Sequence, residues 1–260
     1  MSVRFGTMGW AYEDWKGPFY TSDLPAGKFL TEYCRIFSTV ELDTTFYGAP
    51  RPSTLQGWAS QVPDDFRFSA KVPRAITHEQ RLRSSGTSAR EFGDLLRDHL
   101  GRKLGSILLQ LPPDFNIDER GVLETFLDEA VGDDRPNAIP LVVEFRSIGW
   151  ERTDIAESLL ARGLRCATTE RIDSGSPLCY VRLLGEENAV ARFNERQFDR
   201  SADLKRWAER IRVRDHSEDD LYFYVRNFYE GHAPATLFAL MEMLNMIPPT
   251  PPGQQQMSLF

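Results

Sequence analysis

The sequence has few of the residues that build covalent or metal crosslinks. Three of its 260 residues are cysteine, Cys34, Cys166 and Cys179, and no two of them have C-x-x-C spacing. An odd number without that spacing argues against a disulfide framework and a zinc site. The four histidines also lack the spacing of metal ligands. The sequence therefore predicts no metal site of this kind, although two or three carboxylates could hold Mg²⁺ through their oxygens.

The sequence also lacks a long uninterrupted apolar run. Hydrophobic residues make up 41% of the chain and charged residues 27%, which is typical of a soluble globular protein with one sizeable domain. The first residues lead directly into a strand-like segment, without the apolar region of a signal peptide or the composition of a transit peptide. We therefore expect a cytoplasmic protein with no membrane association.

The chain has no excess of positive charge. Its formal net charge of -7 disfavours broad nonspecific attraction to nucleic acid. Residues 67–103 are an exception, because they contain nine Lys or Arg against four Asp or Glu. Such a run is compatible with a nucleic-acid-binding surface, but solvated helix faces are the commoner explanation.

Short strand-like runs alternate with helical patterns, which is typical of βα units in a parallel sheet. The predicted strands are residues 3–8, 39–43, 66–72, 106–111, 141–146, 164–168, 178–183 and 221–225. The predicted helices are residues 28–37, 85–100, 119–131, 154–162, 202–213 and 233–246, with a shorter helix around 53–58. Eight alternations favour a single TIM-type (β/α)8 barrel over an open sheet. We predict one barrel domain over residues 1–247, followed by a disordered tail over residues 248–260.

Polar residues gather where the predicted strands end, at the edge that faces the mouth of such a barrel. Period-two alternation places Glu41 and Asp43 on one face of the second strand, and Glu144 and Arg146 on one face of the fifth. Charges that project into a barrel are costly unless they are paired or belong to a hydrated site. Four further polar residues lie in or after predicted strands: Lys71, Gln110, Arg182 and Asn227.

Several segments together resemble the YecE-like family, also called domain of unknown function seventy-two. They are residues 6–12 (GTMGWAY), 39–47 (TVELDTTFY), 66–71 (FRFSAK), 76–78 (ITH), 109–113 (LQLPP), 143–146 (VEFR) with Trp150, 180–182 (YVR) and 231–233 (GHA). The resemblance implies a TIM-type barrel and supplies no established reaction. The chain departs from the family's usual pattern at Leu184, where the family has His, and near Thr236, where it tends to have Asn.

The residue types at the predicted mouth suit an anionic ligand. Acid–base catalysis is assigned to Glu41, Asp43 and Glu144, with His78 as the proton carrier. Lys71, a further candidate catalytic residue, would bind a phosphate or carboxylate together with Arg146 and Arg182. The remaining candidate ligand-binding residues are Trp10, Tyr12, Gln110 and Asn227. The alternative is a structural network in which Glu41 pairs with Lys71 and the other charges neutralise their neighbours.

The end of the chain resembles a peptide ligand. Residues 248–253 contain four prolines and cannot continue a helix, which favours a stiff extended tether. About nine residues would span up to ~28 Å if extended. Gln256, Met257, Leu259 and Phe260 then match the bacterial sliding-clamp-binding motif, in which Leu and Phe fill an apolar pocket. The alternative is that Leu259 and Phe260 pack on the protein's own surface.

The tail and the mouth together suggest three functions. The first is a barrel protein that the DNA sliding clamp recruits to act on nucleic acid, or on a phosphorylated ligand derived from it, as a hydrolase or lyase. The second is a small-molecule enzyme acting on a sugar phosphate. The third is a noncatalytic adaptor that binds an anionic ligand.

Overall fold

The computed structural model describes residues 3–131, 140–173, 177–214 and 220–257. Parallel strands and helices alternate along the chain, in an α/β fold of the TIM-barrel class, as the sequence predicts. The chain divides into two compact units. The first unit comprises residues 1–40, 61–63 and 181–260, and the second unit comprises residues 41–60 and 64–180.

The strands agree closely with the predicted runs. In the described ranges they are β1 Val3–Met8, β2 Thr39–Leu42, β3 Arg67–Lys71, β4 Leu104–Gln110, β5 Leu141–Glu144, β6 Arg165–Cys166, β7 Thr168–Thr169, β8 Tyr180–Leu183 and β9 Leu221–Val225. The predictions for β1 and β9 are confirmed to the residue. The prediction for β2 was one residue too long, because Asp43 begins a 3-10 turn over Asp43–Phe46.

In the second unit, β3 to β6 lie side by side and parallel. Ile107, Leu108 and Leu109 of β4 are fully buried. A continuous apolar run of this kind fits a parallel strand whose two faces are both covered. The register places Gln110 beside Glu144, at the ends of β4 and β5.

In the first unit, β1 pairs in parallel with β9. Gly6 in β1 lies so close to Thr39 that an added Cβ would overlap the Thr39 backbone. The hydroxyl of Tyr33 accepts a hydrogen bond from the Thr7 N–H (2.8 Å) and donates one to the Thr39 carbonyl (2.9 Å). These contacts hold the start of β2 against β1.

The predicted sixth strand is broken at Ala167. β6 pairs with β5, and the N–H of Ala167 donates to the Val143 carbonyl (2.9 Å). β7 begins one residue after Ala167 and does not pair with β5.

The helices follow the predicted periodicity with shifted ends. They are α1 Phe29–Tyr33, α2 Pro52–Gln61, α3 Gly86–Leu100, α4 Arg120–Val131, α5 Thr153–Ala161, α6 Ser201–Arg212, α7 Ala233–Met243 and α8 Pro252–Met257. None of the helices in the described ranges has the length and hydropathy that crossing a membrane requires.

The sequence did not predict α8. Pro252 takes the first helical position, where its missing N–H breaks no intrahelical bond. Just before and inside this helix the chain is docked, because Pro251 and Gly253 are buried. The N–H of Gly253 donates to the Phe19 carbonyl (3.0 Å). The segment that was expected to be an extended tether is therefore attached to the first unit from Pro251 to Gly253.

Candidate functional site

Three of the predicted site residues end neighbouring strands of the second unit. Lys71, Gln110 and Glu144 are the last residues of β3, β4 and β5. Asp43 directly follows β2. Active sites of TIM-type barrels lie at this end of the strands. The structure therefore places these four side chains at the expected edge.

Two carboxylates in or at the ends of these strands are buried. Glu41 is fully buried, and the Tyr180 hydroxyl donates to its Oε2 (2.7 Å). Glu144 is 1% exposed, and Gln110 Nε2 donates to its Oε1 (2.6 Å). Buried carboxylates are costly unless such donors meet them. The sequence showed no partnership between Glu41 and Tyr180, because 139 residues separate them.

Lys71 lies between an acid and an aromatic ring. Its Nζ is 3.6 Å from Oδ1 of Asp43 and 4.3 Å from the ring centroid of Phe46. The Asp43 side chain is 34% exposed, whereas that of Lys71 is 10% exposed. The Lys71 ammonium group is therefore held in place by an ion pair with Asp43 and by a cation–π contact with Phe46.

His78 lies in the π-helical segment Ala75–Glu79, a type of irregularity that is frequent at functional sites. Its Nδ1 is 2.8 Å from Oγ1 of Thr77, and its ring stands edge-on to Phe46 at 5.1 Å. Partial burial lowers the pKa of His78 below its usual value, and the positive charges of Arg146, Lys71 and Arg74 lower it further. His78 is therefore a neutral imidazole near neutral pH.

Arg146 follows β5 and is exposed. Its charge acts on His78, yet no acidic side chain of the described residues forms an ion pair with it. The second unit therefore brings together Asp43, Lys71, His78 and Arg146 near the ends of the strands that carry the buried Glu41 and Glu144. Among these residues Arg146 is an exposed cation for which the described part of the chain supplies no acidic partner.

The other predicted site residues belong to the first unit and are more deeply enclosed. Arg182 is 2% exposed, and one of its nitrogens is 3.5 Å from the sulfur of Met8. Asn227 is 3% exposed. Its Oδ1 accepts hydrogen bonds from Trp15 Nε1 (3.2 Å) and from the Ala233 N–H (3.0 Å). Asn227 thus connects the loop after β1 to the start of α7.

His232 completes this enclosed group, although no role is predicted for it from the sequence. It is 4% exposed, and the Trp15 ring stands at right angles to it with 6.0 Å between centroids. Its Nε2 and the Nδ2 of Asn227 have no hydrogen-bond partner in the described part of the chain. Burial lowers the pKa of His232 to about 4. The position in a GHA segment was the only available signal.

The two aromatic residues predicted to contact a ligand are half-buried in the loop after β1. The Tyr12 hydroxyl donates to the Met8 carbonyl (2.6 Å), and its ring lies 4.8 Å from that of Trp15. The carbonyl of Trp10 accepts a hydrogen bond from the Tyr20 hydroxyl (2.8 Å). These contacts connect residues of the loop to one another.

Most of the basic run between residues 67 and 103 is neutralised by acids. Five of its cations beyond Lys71 have acidic partners: Arg74 with Glu79, Arg81 with Asp114 and Glu119, Arg83 with Glu119, Arg97 with Asp94, and Lys103 with Asp64. The run is therefore an ion-paired surface rather than a continuous positive one. The three cysteines form no disulfide bond with one another, and no group of three or more potential metal ligands is found among the described residues.

Curated relatives cover part of this fold. UPF0759 protein YecE of Escherichia coli strain K12 is 32% identical over 162 residues, which are 62% of this chain and 57% of YecE. The chain thus spans little more than half the length of YecE. UPF0759 protein YunF of Bacillus subtilis strain 168 is 27% identical over 206 residues, covering 75% of this chain and 70% of YunF.

Solved structures share the fold over nearly the whole chain. A DUF72 family protein from Thermotoga maritima MSB8 has a TM-score of 0.76 at 24% identity and covers 94% of this chain and 100% of its own. The crystal structure of SacUVDE has a TM-score of 0.55 at 11% identity, with 95% and 100% covered. At these identities the likeness concerns the fold alone. A family model described as protein of unknown function DUF72 matches residues 4–256, so the chain belongs to the DUF72 family, as its sequence segments predict.

Proposed function

We propose that the strand ends of the second unit form an active site for a phosphorylated ligand derived from nucleic acid, which it cleaves by hydrolysis or elimination. One observation carries the proposal. Partial burial lowers the pKa of His78, and the nearby charges of Arg146 and Lys71 lower it further, beside the Asp43 carboxylate that lies 3.6 Å from Lys71. Cations next to a neutral imidazole provide both the charge that binds a phosphate and a group that transfers a proton.

The two cations differ in a way that suits phosphate. Lys71 is fixed by Asp43 and Phe46, whereas Arg146 is exposed and has no acidic partner among the described residues. A guanidinium offers a planar pair of donors, and an ammonium acts as a point charge. A phosphate group supplies enough oxygens and negative charge to meet both.

His78 is the proton carrier in this proposal. Its Nδ1 is engaged with the Thr77 hydroxyl, so Nε2 is the ring atom available to a ligand. In hydrolysis, Nε2 takes a proton from the attacking water and returns it to the oxygen that leaves with the other product. In elimination, Nε2 takes the proton from a carbon of the ligand, the bond between the adjacent carbon and a phosphate oxygen breaks, and the phosphate leaves with that electron pair. Either step requires a neutral imidazole, which partial burial favours and which the charges of Arg146 and Lys71 favour further.

The ion pairs of the basic run favour a short ligand over a long duplex. A polynucleotide is bound largely through its phosphates, and each contact needs an available cation. Since five further cations of the run are paired with acids, few remain for a second and third phosphate. The same observation supports a sugar phosphate as the second candidate ligand.

Titration calorimetry with inorganic phosphate tests the site. Lys71→Met and Arg146→Met should each weaken phosphate binding about tenfold or more, because a hydrogen bond to a charged group contributes ~1.5–3 kcal/mol. Phosphate should also raise the pKa of His78, measured by NMR. Arg90→Met, at an exposed arginine of α3, is the matched control. Unchanged phosphate affinity in both site variants would refute the proposal.

We also propose that a bacterial sliding clamp recruits the protein through its last residues. Gln256 and Met257 lie in the last turn of α8, and Leu259 and Phe260 lie outside the described residues. Because Gly253 is docked, Gln256 lies three residues after an attached point of the chain and not at the end of a free nine-residue tether. Binding in the extended form that such grooves accept requires the end of α8 to unwind.

Surface plasmon resonance against a purified sliding clamp tests this recruitment. The double variant Leu259→Ala and Phe260→Ala should lose binding, because two apolar side chains that each contribute ~1.5–3 kcal/mol are removed. Gln254→Ala changes an exposed residue before the motif and should bind as wild type does. If the double variant binds the clamp as tightly as the control, the tail is not the ligand.

A further inference from the structure

The turn after β2 carries an aromatic side chain in an unusual setting. Tyr47 is 84% exposed, whereas the preceding Phe46 contacts both Lys71 and His78. Among the described aromatic residues, Phe198 is the other exposed one, at 40%. A single exposed ring is ordinary on a protein surface. This one, however, adjoins the residues of the proposed phosphate site.

The backbone beneath Tyr47 is held firmly. The N–H of Tyr47 donates to the Thr44 carbonyl (3.1 Å), which closes the 3-10 turn. Oγ1 of the buried Thr45 accepts a hydrogen bond from the Lys71 N–H (2.9 Å). The same hydroxyl lies 2.7 Å from the Leu42 carbonyl and 2.9 Å from that of Lys71, so it donates to one of them. The turn is thereby tied to β3, and a ring on it is a preorganised surface.

The distance from this ring to the phosphate site is short. The ring centroids of Tyr47 and Phe46 are 5.5 Å apart, and the Phe46 centroid is 4.3 Å from Lys71 Nζ. The Tyr47 centroid therefore lies at most 9.8 Å from that ammonium, the sum of the two separations. A nucleoside phosphate separates its base from its phosphate by a sugar, which is a span of the same order.

We propose that Tyr47 is the stacking surface for the base of a nucleoside phosphate whose phosphate is bound by Lys71 and Arg146. The inference rests on the proposed phosphate site and names its substrate class. A planar base can lie on an exposed tyrosine ring without regard to sequence, because every base has a π face. A sugar phosphate, by contrast, has no ring of this kind to place there.

Calorimetric titration with thymidine 5′-monophosphate, ribose 5-phosphate and inorganic phosphate separates the two ligand classes. Stacking of one base contributes roughly 5- to 150-fold in affinity. Wild-type protein should therefore prefer the nucleotide over ribose 5-phosphate by about that factor. Tyr47→Ala should abolish the preference and leave phosphate affinity unchanged. Tyr47→Phe should retain it, because the ring rather than the hydroxyl stacks.

Val213→Ala is the matched control, since Val213 is 80% exposed after α6 in the first unit. Melting temperatures of all variants verify that they fold. If phosphate fails to bind wild type, the proposed function fails and takes this inference with it. If phosphate binds but the nucleotide gains nothing over ribose 5-phosphate, or Tyr47→Ala keeps the gain, the inference alone is refuted. Loss of the preference in Tyr47→Phe would also refute stacking.

Discussion

The two units differ in how far the polar residues in and after their strands are exposed to solvent. In the first unit, Arg182, Asn227 and His232 are each less than 5% exposed. In the second unit, Arg146 is exposed, and Asp43 and His78 are partly so, whereas two carboxylates of its strands are buried. A site for a ligand must be reachable by water. We therefore propose that the second group binds a ligand and that the first group stabilises the fold.

The largest expected effect is on the free energy of unfolding, which should distinguish a residue that stabilises the fold from one that binds a ligand. Trp15→Ala removes a fully buried ring that donates to Asn227 and packs on His232. The free energy of unfolding should fall by about 3–5 kcal/mol, measured by urea denaturation. Arg146→Ala should change it by less than about 0.5 kcal/mol, because an exposed side chain without an acidic partner in the described chain is removed. Equal losses in the two variants would erase the distinction.

Most of the fold could be predicted from local patterns, because apolar alternation and helical periodicity depend only on residues that are close in sequence. β1 and β9 were predicted to the residue for this reason. The break at Ala167 could not be predicted, since β6 pairs with β5 and β7 does not, and strand pairing depends on the folded chain. The helix α8 is not predicted because four prolines in residues 248–252 indicate an extended segment, although Pro252 occupies the first helical position, where a proline is tolerated.

The sequence predicted which way two acidic side chains face better than it predicted their surroundings. Alternation identified Glu41 and Glu144 as inward-facing, and both are buried. It could not supply the Tyr180 hydroxyl that meets Glu41, because that contact depends on the folded chain. The sequence could not predict the burial of individual polar residues either, because burial also depends on the folded chain. Asn227 and Arg146 looked equivalent in the sequence, as polar residues near strand ends, yet one is enclosed and the other is exposed.

A second prediction uses the enclosed histidine. The pKa of His232 is about 4 in the folded chain, against an ordinary value of 6.5. The unfolded chain therefore binds the proton more tightly, and the stability gained from the neutral ring is fully present above pH 6.5. It is lost as the pH falls through 6.5 toward 4. Between pH 7 and pH 4.5 this loss should reach about 2–3 kcal/mol.

His232→Phe keeps an aromatic ring and removes the titration. Urea denaturation at pH 7 and at pH 4.5 should show a smaller acid loss in this variant, by the same ~2–3 kcal/mol. At pH 7 the variant should be no less stable, because a buried nitrogen without a partner in the described chain is also removed. An acid loss identical to that of wild type would mean that His232 is hydrated, and the enclosed character of the first group would not hold.

The smallest expected effect tests whether residues 251–253 are packed against the first unit as closely as its enclosed polar residues are. An added Cβ at Gly253 would overlap the Gly17 carbonyl and lie 2.6 Å from that of Tyr20. Because both are backbone atoms, Gly253→Ala should undock the segment and break the hydrogen bond to the Phe19 carbonyl. The loss should be about 1 kcal/mol of stability, with faster hydrogen exchange at the residue 253 amide. Gly27→Ala, where no atom lies within 4 Å of the added Cβ, is the control. If both variants behave alike, the segment is free in solution, and the peptide that we propose for the clamp regains the full length of its tether.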